Sequence, residues 1–75
     1  MIKDEIFNNL SWKTTSPQEI NKRIQGLKVL GIEPVEPKES GCIIYLKGND
    51  NETIVIDIGN EYGEEPVKIS YAIAK

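Results

Sequence analysis

Apolar and polar side chains alternate along the second half of this chain in three runs, CIIYLK at 42–47, TIVIDI at 53–58 and VKISYAIA at 67–74. Each run is rich in β-branched residues and is bounded by Gly, Asn or Pro, which predicts three strands. Successive side chains of a strand point to opposite faces. One face then collects Cys42, Ile44, Leu46, Ile54, Ile56, Ile58, Val67, Ile69, Tyr71 and Ile73, and is the expected core face. The other collects Ile43, Tyr45, Lys47, Thr53, Val55, Asp57, Lys68, Ser70 and Ala72. The connections are short, so an antiparallel meander is the simplest topology.

The first half carries a helical period. Ile2, Ile6 and Leu10 are spaced four apart with Phe7 beside them, one apolar stripe of a short helix over residues 2–10. The stretch SWKTT ends it. SPQE at 16–19 is a helix start: Ser16 caps, Pro17 takes the first helical position and Glu19 can reach back to the Ser16 amide. Ile20, Ile24, Leu27 and Leu30 make the core-facing stripe of a second helix over 17–30. Gly31 and Ile32 supply a Schellman ending, and Pro34 and Pro37 block a restart. Two residues disturb this helix. Gly26 sits inside it and Val29 falls on its polar side, so the sequence leaves open whether 27–33 is a helix end or an extra strand. The expected fold is α+β: one domain, residues 1–75, with two N-terminal helices packed on one face of a three-stranded antiparallel meander, ααβββ in two layers. A fourth strand is the variant.

Composition narrows the ways this fold can be held together. Seventy-five residues lie near the lower limit for a core that stabilises itself unaided. Cys42 is the single cysteine and there is no His, so neither an intrachain disulfide nor a Cys/His zinc framework is expected. Oligomerisation is the staple left, and a homodimer is a candidate. The amino terminus MIKDEIFNNL lacks the basic and apolar regions of a signal peptide, and no run approaches the ~18 apolar residues of a membrane helix. A cytoplasmic protein with a reduced Cys42 and no membrane partner is expected. Twelve Ile, eight Lys and six Asn fit an AT-rich coding sequence, bacterial or phage.

Charge excludes a broad electrostatic footprint. The net charge is −3, and it lies wholly in residues 41–75, which carry three basic and six acidic side chains. Nucleic-acid binding needs clustered Lys and Arg, so nucleic acid is not an expected partner of the whole chain. Lys13, Lys22, Arg23 and Lys28, along and just before the second helix, are the one basic group. They make a helix-borne phosphate contact the alternative reading.

Other candidate chemistry is sparse. The polar run GNDNET at 48–53 lacks the leading Asp, central Gly and closing Glu of a calcium loop. Gly, Asn and Asp tolerate left-handed dihedrals, so a hairpin loop is predicted there. The loop GNEYGEEP holds Glu61, Tyr62, Glu64 and Glu65 near Asp57. It is a candidate acidic docking surface, or least favourably a carboxylate metal or hydrolytic site. Cys42 has no His to activate it and reads as a small core hydrophobe. No phosphate loop, dinucleotide fingerprint or catalytic triad occurs, so no catalytic residue, no cofactor and no metal are expected.

The least ordinary feature is the outer sheet face. Ile43, Tyr45 and Val55 are neighbours there, with Ala72 near. An exposed apolar patch of this kind marks an interface, unless residues 33–40 or Trp12 with its flanking loop fold over it. The preferred expectation is a small non-enzymatic interaction module. It would bind a protein partner or itself through Ile43, Tyr45 and Val55, a sheet edge, or Glu61, Tyr62, Glu64 and Glu65.

Overall fold

The computed structural model describes residues 4–34, 41–59 and 68–74. In chain order the elements are α1 (Asp4–Phe7), β1 (Lys13–Thr15), α2 (Pro17–Ile24), β2 (Val29–Pro34), β3 (Gly41–Lys47), β4 (Thr53–Gly59) and β5 (Lys68–Ala74). The strands form one antiparallel sheet in the order β1-β5-β4-β3-β2. This overturns the ααβββ expectation: among the described residues the sheet has five strands instead of three, and helix is confined to short segments.

The three alternating runs become β3, β4 and β5, with Tyr45 opposite Val55, and Val55 opposite Ala72; Val67, expected on the core face of the third run, lies outside the described residues. They are joined first by the predicted hairpin turn. Asp50 and Asn51 have φ of 49° and 66°. The Glu52 amide donates to the Asn49 carbonyl at 3.0 Å, and the Gly48 amide donates to the Glu52 carbonyl at 2.9 Å. Positive φ at both central residues is the type I′ pattern, whose twist suits a β-hairpin. GNDNET is therefore a turn, and it fixes the register of β3 on β4.

α2 begins as SPQE predicts. The Glu19 amide donates to Ser16 Oγ at 3.3 Å. The Glu19 carboxylate does not close back on Ser16; it accepts from Thr15 Oγ1 at 3.5 Å. The helix stops far earlier than residue 30. Gly26 takes φ +78°, a left-handed conformation that costs a glycine little. Beyond it the chain extends into β2. The disturbing pair of residues thus had a cause: Gly26 is the helix stop, and Val29 belongs to a strand.

Both faces of the sheet are covered. On one, Ile20, Ile24 and Leu27 pack on Leu46, Ile54 and Ile56, with Ile44, Ile58, Ile69 and Tyr71 around them. On the other, Phe7, Leu10 and Trp12 pack with Ile43 on Tyr45, Val55 and Ala74. Phe7 and Trp12 meet edge-on, ring centroids 5.4 Å apart. β4 accordingly buries three successive residues, Ile54, Val55 and Ile56. The covering segments are joined at the sheet edge: β1 carries the chain from the Trp12 face to the α2 face.

The turn geometry makes a measurable prediction. Asn51→Ala places a Cβ-bearing residue without Asn's local hydrogen bonding at positive φ and is expected to cost about 1 kcal/mol. For a domain of this size that is roughly 4–8 °C in melting temperature. Asn51→Gly is expected to be neutral or slightly stabilising. Equal melting temperatures for the two variants, followed by circular dichroism, would contradict the turn.

Candidate functional site

The three residues expected to form an open patch lie in the core. Tyr45 and Val55 are 3 % and 0 % exposed, and Ile43 is half-buried under the same cover. Of the two covers the sequence allowed, the Trp12 segment is present. The patch read as binding surface is therefore packed against this chain's own Phe7, Leu10 and Trp12 and is not available to a partner. Burial lifts the Tyr45 phenol above its usual range, and the Glu33 carboxylate adds to the effect.

The acidic candidates Glu61, Tyr62, Glu64 and Glu65 lie outside the described residues. The basic candidates are all exposed but are not gathered into one surface. Lys13 on β1 stands opposite Tyr71 in the ladder, and the Arg23 guanidinium lies 4.8 Å from the centre of the same ring. Lys22 is on α2, and Lys28 precedes β2 at the opposite edge of the sheet. Lys13 and Lys28 thus stand at opposite edges of the sheet.

Among the described residues, the main exposed apolar surface lies in 27–33, the stretch open between a helix end and an extra strand, and it is a strand. Val29, Leu30 and Ile32 of β2 are 52 %, 38 % and 63 % exposed. Ile6 and Ile73, the other exposed large hydrophobics among the described residues, stand on different elements. The local composition, Val-Leu-Gly-Ile ahead of Pro34, was the available signal.

The backbone of this edge can be followed residue by residue. The Lys47 amide donates to the Lys28 carbonyl at 2.9 Å, so Lys47 turns toward β2. Gly48, the next residue, donates toward Glu52 on the other side. In an antiparallel ladder alternate residues turn both backbone groups to the same neighbour. Tyr45 and Ile43 therefore also face β2, where they oppose Gly31 and Glu33. That leaves the N–H and C=O of Ile32 directed outward. Pro34, the next residue of that parity, has no N–H to present. The register shifts between Val29 and Gly31, so Leu30 is the extra residue of a bulge. Among the described residues, no strand pairs with the outer side of β2.

The opposite edge differs in kind. β1 has three residues, Lys13, Thr14 and Thr15, of which Lys13 and Thr14 are exposed. Short length and a lysine blunt an edge. The outer side of β2 is longer and apolar.

The buried phenol carries a prediction. Below about pH 10 Tyr45 is protonated whether the chain is folded or not, and contributes no pH dependence. Above it the unfolded chain loses the proton first, so stability falls with rising pH until the folded pKa is passed. Urea unfolding at about pH 9 and about pH 11 is expected to show a smaller alkaline loss for Tyr45→Phe than for the native chain. Equal losses would refute the assigned burial. No protein-family model, curated protein or solved structure matches this chain.

Proposed function

We propose that this chain is a small non-enzymatic protein-interaction module that engages a protein through the outer edge of β2. The observation that carries the reading is the coincidence on one edge of Ile32's outward N–H and C=O with the exposed Val29, Leu30 and Ile32. Addition of an extended strand to such an edge satisfies the backbone groups and covers the side chains together. Fully burying one aliphatic side chain contributes about 1.5–3 kcal/mol, so even partial coverage of these three supplies a useful share of a binding energy. The proposed setting is cytoplasmic, which suits a free Cys42; no helix among the described residues is long and apolar enough to cross a membrane.

Ile32 is exposed, so Ile32→Lys is expected to change folding stability by no more than about 0.5 kcal/mol. A photo-reactive side chain placed at Ile32 is expected to cross-link a protein in host extract, and one placed at Thr14 is not. Labelling at neither position, or equally at both, would remove the reading.

A further inference from the structure

We propose that the occupant of the β2 edge is a second copy of this chain, paired antiparallel about a two-fold axis through Ile32. The inference rests on the edge reading above and names its partner. Opposed residues of an antiparallel hydrogen-bonded pair exchange both of their backbone bonds. A residue opposite its own copy meets that requirement by symmetry. Ile32 is the residue of Gly31–Pro34 with both backbone groups directed outward, and it is the most exposed large hydrophobic among the described residues, at 63 %. On the axis, the two Ile32 side chains lie side by side on the α2 face.

Backbone parity and charge both favour this register. With the axis at Ile32, Glu33 of each copy stands opposite Gly31 of the other, so the two carboxylates are diagonal neighbours and are not directly opposed. With the axis at Glu33 the two carboxylates would be opposed, and like charges directly across a ladder are unfavourable. The pairing is also bounded. Pro34 offers no donor on one side of Ile32, and the bulge at Leu30 interrupts the ladder on the other. Pairing of β2 with β1 of another copy would instead set an apolar strand against three polar residues. It would also leave each copy with a further open edge, the condition for an open chain of subunits. The two-fold pairing closes.

The size of the surface sets its strength. The exposed parts of Val29, Leu30 and Ile32 amount to about one and a half whole side chains per copy. That falls short of a standard interface, which places the association among weak, reversible ones and not the obligate ones. It also provides the one staple left to a chain with a single cysteine and no histidine.

The test uses the full chain carrying Cys42→Ser, so that an introduced thiol is the only one. In that background Ile32→Cys places two thiols on opposed residues whose Cα atoms are about 5.5 Å apart, inside the span a disulfide bridges. Mild oxidation is expected to give a covalent dimer, and Thr14→Cys is not. Sedimentation equilibrium of the native chain from about 5 to about 500 µM is expected to move from monomer mass toward twice that mass. Ile32→Lys, checked for folding by circular dichroism, is expected to weaken the association at least tenfold. A native chain monomeric throughout, an Ile32→Lys chain that dimerises equally well, or Thr14→Cys cross-linking as readily would overturn the proposal. Monomeric behaviour with photo-labelling of a different protein at Ile32 would overturn the two-fold pairing and leave the edge reading standing. Monomeric behaviour with no labelling at Ile32 would remove both.

Discussion

Val55, at the centre of the sheet, has no surface in contact with water, and the rest of the molecule follows from what buries it. Its neighbours Ile54 and Ile56 point to one face, and Val55 points with Tyr45 and Ala72 to the other. A strand apolar on both sides needs cover on both sides. The chain has few residues to supply it, so each cover is short: α2 on one face and the Phe7–Trp12 segment on the other. A continuous chain can supply both only by passing round a sheet edge between them. β1 is that passage, and it pairs with β5 as it goes. α2 then packs on its face against β3 and β4, and β2 begins at the far edge.

How much of this was legible depends on the range of the signal. The residues of β3, β4 and β5, their facing and the turn between β3 and β4 were readable, because alternation and left-handed dihedrals are local properties. So was the start of α2, where the Ser16 cap forms as its spacing predicts. β1 was not readable, since three residues of Lys and Thr carry no period, and their pairing with β5 spans more than fifty residues. β2, left open between a helix end and an extra strand and favoured as the helix end, was obscured for a different reason. Its bulge at Leu30 breaks the alternation, while Ile20, Ile24, Leu27 and Leu30 happen to continue a helical stripe. Ile20, Ile24 and Leu27 do pack on the core, but Leu27 does so after Gly26 has already turned the chain.

The misplaced candidate site has the same origin. Alternation says which residues share a face, and it put Ile43, Tyr45 and Val55 together as the structure does. It cannot say whether that face meets water, because the answer lies in Phe7, Leu10 and Trp12, distant in sequence. Covering the second face also changes where a binding surface can be. A two-layer domain would leave a whole sheet face for partners. With both faces occupied, the sheet presents partners chiefly with its edges.

The two edges are unequal because of how the chain reaches them. β1 lies on the path between the two covers, so it is short and polar, and a lysine and two threonines suffice for its passage. β2 opens the meander and must hold register against β3, which calls for apolar, β-branched residues. Among the described residues, those of β2 are paired on their inner side only. The bulge at Leu30 and the missing donor at Pro34 limit how far another strand can extend along them. An edge that was merely a hazard would be blunted along its whole length, as lysine blunts β1. On β2 the interruptions lie on either side of Ile32 and spare Ile32 itself, so the stretch left able to pair is short enough to end where a two-fold partner ends.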